Sequence, residues 1–266
     1  GLNIAGTTTV IEPHPTRDHT ERMLEHLGIP LSIRTLDNGS REISIHGQPA
    51  QKPQDINITI PADPSSAAFP IVAALITKDS HITIPNVCMN PLRTGLFDVL
   101  KRMGANIEIT NQRESAGETV ADITARSSTL KAVDVEAELA PSMIDEYPIL
   151  AVATAFAKGE SRMRGLSELR VKESDRLSAV IHGLNACGVQ AHAEGDDLIV
   201  TGCAGIVTGD AEITTHFDHR IAMSFLVLGL GAQKPVLVDD MTAISTSFPH
   251  FVSLMNGIGA TITIER

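Results

Sequence analysis

Hydrophobic and polar positions along the chain alternate between two patterns. In the first, apolar residues recur at three- and four-residue spacing, stop at a glycine and give way to a short alternating run. It occurs as "MLEHLGIPLSI", "VLKRMGANIEI", "GLNACGVQAHA" and "LMNGIGATITI", with the stops at Gly28, Gly104, Gly188 and Gly259. The spacing predicts an amphipathic helix, a left-handed glycine at its C-terminus and a following strand. In the second, "DPSSAAFPIVAALIT" from Asp63, "DEYPILAVATAFAKG" from Asp145 and "DHRIAMSFLVLGLG" from Asp218 are apolar nearly all round. Such segments predict helices buried on every side, each opening at an aspartate suited to capping it. The strand-like runs "SHITIPNV", "ESRMRGL" and "KPVLVDDM" follow them, and "GVQAHAEGDDLIVTG" reads as a further hairpin.

The repeating unit is therefore a capped buried helix, a strand, an amphipathic helix, a glycine and a strand. It occurs three times between Asp63 and Arg266. A recurrence of this kind predicts stacked repeats sharing one core. Residues 1–61 contain only the second half of a unit and end where Pro61 and Pro64 flank a break. The expected organisation is α/β, with residues 62–266 as a nearly complete domain of three repeats. Residues 1–61 are expected to be the tail of a second, similar domain whose beginning is absent.

Composition narrows the function. The 266 residues are 42% hydrophobic and 20% charged, as in a folded globular protein. A formal net charge of −11 argues against nucleic-acid or anionic-membrane partners, so an anionic substrate would need a local cluster of cations. Cys88, Cys187 and Cys203 show no CxxC or Cys/His ligand spacing, and the 10 histidines form no HExxH motif. The sequence thus offers no metal motif and no disulfide framework, as expected for the reducing cytoplasm. Apolar runs such as "IAMSFLVLGLGA" are shorter than the roughly 20 residues a membrane-spanning helix needs.

One segment breaks local rules. In "LRVKESDRLSAVIHGLNACG", Leu177, Val180, Ile181 and Leu184 form an apolar face, and Glu173 and Arg176 stand four residues before Leu177 and Val180, in line with it. Glu173 and Arg176 thus extend a buried stripe with charge, and Lys172 and Arg176 stand at a helix start, where cations oppose the helix dipole. Charges so placed suit a site that gathers an anion beside an acid or base.

"RVKESDRL", "PSMIDEYPILA", "FDHRIAMSFLVLGL" and "TSFPHF" resemble the 5-enolpyruvylshikimate-3-phosphate (EPSP) synthases, the 3-phosphoshikimate 1-carboxyvinyltransferases, over the whole chain. The resemblance implies two domains, each an inside-out α/β barrel of three repeats with helices inside and sheets outside. It implies transfer of the enolpyruvyl group of phosphoenolpyruvate to the 5-hydroxyl of shikimate 3-phosphate with release of phosphate. Neither a metal nor an organic cofactor is implied, and the parent enzyme is expected to be monomeric and cytoplasmic. By the same resemblance Asp145 takes the hydroxyl proton, and Glu173 exchanges a proton at the methylene carbon. Arg176 and Arg220 grip phosphoenolpyruvate, a task suited to the guanidinium fork, while Lys172 and Arg17 hold shikimate 3-phosphate.

Two departures qualify this expectation. Thr246 occupies the position, two residues before the Phe-Pro pair, where some relatives carry a lysine. The family's N-terminal motifs for both substrates would precede Gly1, so the 266 residues alone are expected to be inactive. The competing readings are a UDP-N-acetylglucosamine enolpyruvyl transferase of the same fold and a folded, non-catalytic fragment.

Overall fold

Residues 1–13, 16–47 and 57–264 are described by a computed structural model. The chain opens with strand β1 (Gly6–Glu12), helix α1 (His19–His26) and strands β2 (Leu31–Thr35) and β3 (Arg41–Gly47). These strands form an antiparallel sheet in the order β1-β3-β2.

Three buried helices then alternate with sheets. The first, α2 (Pro64–Ile76), is followed by β4 (His81–Cys88), the amphipathic α3 (Gly95–Arg102), β5 (Asn106–Ser115) and β6 (Glu118–Arg126). Short elements β7 (Asp134–Val135) and α4 (Ala140–Met143) lead into the second buried helix, α5 (Tyr147–Phe156). Beyond it come β8 (Lys158–Met163), α6 (Arg176–Ala186), β9 (Gln190–Glu194), β10 (Asp197–Cys203) and β11 (Ala211–Ile213). The third buried helix, α7 (His219–Gly231), is followed by β12 (Val236–Val238), α8 (Ile244–Ser247) and α9 (Phe251–Gly257).

Helices α2, α5 and α7 pack against one another in all three pairings. All ten residues of α5 are buried, and Ile71, Leu75, Leu150, Phe225 and Leu228 are among the side chains that fill the shared core. Three sheets surround this bundle: β4-β6-β5, β7-β8-β10-β9 and the parallel pair β11-β12. The arrangement follows from pattern: helices without a polar face have nowhere to go but the centre, while alternating strands such as β4 keep one face toward solvent. Full burial of each large aliphatic or aromatic side chain contributes about 1.5–3 kcal/mol.

The punctuation predicted from sequence is present. Gly28, Gly104, Gly188 and Gly259 all have positive φ, between 75° and 109°, at the ends of α1, α3, α6 and α9. Asp63 caps α2 by accepting from the backbone of Ser65 and Ser66, and Asp218 caps α7 by accepting from that of Arg220.

Three expectations are corrected. Asp145 does not cap α5: it lies in a one-turn 3-10 helix (Ile144–Glu146), where its carboxylate is held by side-chain cations. Lys172 and Glu173 are not in the first turn of α6 but in the link before it, because Asp175 is the cap and bonds the Ser178 backbone at 3.0 Å. Residues 260–264 form no strand. Asn256 bonds both polar backbone groups of Ile262 (2.9 and 2.8 Å), the device by which Asn185 holds Ala191 in β9, but no strand pairs with it among the described residues.

Packing between α6 and α7 depends on Gly183, where an added Cβ would lie within 2.7 Å of three ring atoms of Phe225. Both residues are buried, so neither can swing into solvent. Gly183→Ala should lower stability by roughly 1–3 kcal/mol, read as a fall in the urea midpoint.

Candidate active site

Arg176 opens α6, and its side chain is 1% exposed, unusual for a charged residue. The helix begins there because Asp175 caps it, and the apolar stripe of Leu177, Val180 and Leu184 turns that face inward. The guanidinium is therefore carried under the protein surface. Its Nε donates to Asp218 Oδ2 at 2.8 Å, Nη1 to Asp145 Oδ1 at 3.2 Å and Nη2 to Glu173 Oε2 at 2.5 Å.

Asp218 has a completely buried carboxylate. It also accepts from the Arg220 backbone and from Ser174 Oγ, both at 2.9 Å, so capping of α7 and neutralisation of Arg176 are done by one group. Burial pushes its carboxyl pKa up, but Arg176, the Arg220 backbone and Ser174 together outweigh burial and the net shift is downward.

Asp145 is the hub. Arg17 Nη2 reaches Oδ2 at 2.6 Å, Lys172 Nζ lies 3.5 Å from Oδ1, and Arg220 Nη1 donates to the Asp145 backbone carbonyl at 3.1 Å. Together with Arg176, four cations from three segments converge on this one residue. Burial alone would raise the carboxyl pKa, but Arg220, Arg17 and Lys172 override it and hold the group well below the ordinary carboxylate range.

All six residues singled out in the sequence are thus brought together. Their electrostatics differ from a bare cationic pocket, however, because each cation lies within 4.0 Å of a carboxylate. Lys172 also bonds Glu168 at 2.5 Å, and Arg220 lies 3.7 Å from Glu146 Oε1. An entering anion must take these cations over from protein carboxylates. Glu173 is the member best placed to move, since its side chain is 54% exposed.

Sequence reasoning missed a buried layer beneath the cluster. Glu146 accepts from Ser65 Oγ, which accepts from Arg93 Nη2 at 2.7 Å; Arg93 also contacts Asp63 at 3.2 Å. Burial raises the Glu146 carboxyl, against the opposing pull of Ser65 and Arg220. His219, beside Arg220, is pushed down by burial and by that arginine. The adjacency of Glu146 to Asp145 was the one available signal; nothing local ties Ser65 or Arg93 to it. Thr246 donates its hydroxyl to the Ala243 carbonyl at 2.7 Å and carries no charge toward the cluster.

Similarities to known proteins fit this arrangement. A family model described as EPSP synthase (3-phosphoshikimate 1-carboxyvinyltransferase) matches residues 1–255. A 3-phosphoshikimate 1-carboxyvinyltransferase of Paramagnetospirillum magneticum is 60% identical over 263 residues, 99% of this chain and 58% of the relative. One from Parvibaculum lavamentivorans is 55% identical over 98% of this chain and 57% of its own length. The chain therefore spans somewhat more than half of the curated relatives it matches. A solved EPSP synthase from Acinetobacter baumannii superposes with a TM-score of 0.91 at 40% identity, over 100% of this chain and 60% of that one. The enolpyruvyl transferase NikO of Streptomyces tendae, at 20% identity and TM-score 0.75 over 98% of this chain and 57% of NikO, shares the fold. No helix among the described residues is long and apolar enough to cross a membrane.

Removing Asp218 leaves a buried guanidinium without its main partner, which costs about 3–5 kcal/mol. Asp218→Ala should lose stability of that order in urea denaturation. The pH dependence follows from the lowered carboxyl pKa. The Asp218 contribution is fully present above the ordinary value of 3.8 and is lost as pH falls below it toward the folded-state pKa. Acid titration of stability should show this loss in the parent protein and a smaller one in the variant.

Proposed function

The chain belongs to the EPSP synthase family, and from that premise we propose that the Asp145 cluster is one wall of an enolpyruvyl transfer site. The substrates are phosphoenolpyruvate and shikimate 3-phosphate, and the activity is that of the whole protein to which these residues belong. The observation that carries the reading is the convergence of Arg17, Lys172, Arg176 and Arg220 on Asp145. Two phosphates and two carboxylates require several cations in one place, and a carboxylate among them is available to take the hydroxyl proton.

In the proposed addition, the 5-hydroxyl oxygen bonds to C2 of phosphoenolpyruvate, its proton goes to Asp145, and C3 gains a proton from Glu173. In the elimination, C3 returns a proton to Glu173, restoring the protonated form in which it began, the C2–O bond breaks with its electron pair passing to the departing phosphate, and that phosphate takes the proton held by Asp145, leaving the enol ether, hydrogen phosphate and both carboxyl groups as they started. Arg176 and Arg220 hold phosphoenolpyruvate, and Lys172 and Arg17 hold shikimate 3-phosphate. The ion-pair lattice gives this scheme a physical logic. Asp145 surrounded by cations is a weak base, but anions that draw those cations away raise its proton affinity. Basicity therefore develops when the substrates are in place.

Division of the chain at residue 61 is part of the same proposal. The core shared by α2, α5 and α7 is built from residues 67–262, whereas the β1-β3-β2 sheet pairs only within the first 47.

The test is phosphate release by a protein of the relatives' full length carrying this chain, with UDP-N-acetylglucosamine as the competing acceptor. Turnover should require shikimate 3-phosphate. Glu173→Gln should lower kcat by about 10²–10⁴-fold with a smaller change in KM, because proton transfer is removed. Arg220→Lys keeps the charge but loses the fork, costing on the order of 1.5–3 kcal/mol in kcat/KM for phosphoenolpyruvate. Unchanged kinetics in either variant would remove that residue from its proposed role.

A further inference from the structure

Outside the cluster around Asp145, one group of side chains brings together the donor types that bind a soft-to-borderline cation. His19 Nδ1, Cys88 Sγ and a Glu118 carboxylate oxygen all lie within 4.8 Å of one another. His19 is the first residue of α1, Cys88 the last of β4 and Glu118 the first of β6. Two of the three are rigidly presented: β4 and β6 are hydrogen-bonded neighbours, Cys88 opposes Val120, and the Met89 backbone donates to the Thr119 carbonyl at 2.7 Å.

We propose that His19, Cys88 and Glu118 bind a zinc ion that ties α1 to the β4-β6-β5 sheet. Tetrahedral zinc with Zn–N and Zn–O near 2.1 Å and Zn–S near 2.3 Å places its ligand atoms roughly 3.3–3.8 Å apart. The present 2.6 Å contact of His19 Nδ1 with Glu118 Oε1 must therefore open by about 1 Å, a movement available to a half-exposed histidine.

Charge and surroundings fit a dication. Glu118 and a Cys88 thiolate supply two negative charges. Arg22 lies 3.9 Å from Glu118 but is already matched by Asp18 at 2.9 Å, and Arg93, which lines the adjoining cavity, is matched by Asp63. Asn90 supplies an outer layer: its Nδ2 donates to Glu118 Oε2 at 3.2 Å and to Asp18 Oδ1 at 2.6 Å. An amide that orients a ligating carboxylate in this way is typical of the second layer around a bound metal. A cavity of about 290 Å³, lined by the three donors with Met23, Ile60 and Arg93, gives the ion a path and leaves room for a water as fourth ligand. Zinc displaces the Cys88 thiol proton when it binds.

The ion would act on the neighbouring cluster through Arg17, two residues before His19, whose guanidinium holds Asp145. Fixing α1 to the sheet fixes that arginine.

Cobalt(II), followed by zinc, tests this on the full chain with thiols reduced. Cobalt should bind one per chain with a thiolate-to-cobalt charge-transfer band, and zinc should abolish the band and raise Tm. Cys88→Ser should eliminate the band, while Cys203→Ser leaves it intact. His19→Ala, at a half-exposed position that does not threaten folding, should weaken cobalt binding by about tenfold or more. Absence of the band at stoichiometric cobalt, or its survival in Cys88→Ser or with unchanged affinity in His19→Ala, would overturn the assignment. None of these readouts depends on catalysis, so they stand or fall apart from the proposed transferase activity.

Discussion

A guanidinium that is almost completely shielded from water has to be neutralised, and that single requirement organises the centre of this protein. Arg176 meets it with Asp218, Asp145 and Glu173, which come from three different places in the chain. An uncompensated charge at that depth would cost several kcal/mol, so the segments bearing these carboxylates are held in register with α6. Asp218 fixes the start of α7, and Asp145 fixes the turn before α5. Two of the three central helices are thereby located relative to one ion-pair network as well as by apolar contact.

Packing and electrostatics reinforce each other here. The contacts among α2, α5 and α7 are nondirectional and would tolerate some sliding, as burial of aliphatic surface depends little on exact rotation. Bonds from Arg176 and Arg220 to residues preceding those helices are directional and remove that freedom. The buried layer of Glu146, Ser65 and Arg93 does the same for α2, whose first turn supplies Ser65. All three helix N-termini consequently meet where the cations gather.

The cluster is also poised rather than empty of counter-charge. Cations held by carboxylates are kept in place without a ligand, and an incoming phosphate or carboxylate exchanges one set of partners for another. In the proposed function, such exchange would carry a smaller desolvation cost than burying bare charges, and it would link the basicity of Asp145 to occupancy of the cation sites.

Local pattern was sufficient for much of this. The alternation of all-round apolar segments with amphipathic ones fixed the three central helices, and the glycine stops marked the C-termini of α1, α3, α6 and α9, because both effects act within a few residues. The quoted motifs also carried five of the six charged residues that converge, Arg17 alone lying outside them. What sequence could not settle was the partner of each charge. Asp145 reads as a helix cap until Arg17, 128 positions away, is seen on its carboxylate. Residues 260–264 read as a strand by alternation, yet a strand exists only where another supplies its hydrogen bonds. Ser65, Arg93 and Glu146, like His19, Cys88 and Glu118, have no shared motif. Local propensity is written in neighbouring residues, whereas the pairing of buried charges and donors is decided only when distant segments are brought within a few ångströms by the packing of the core.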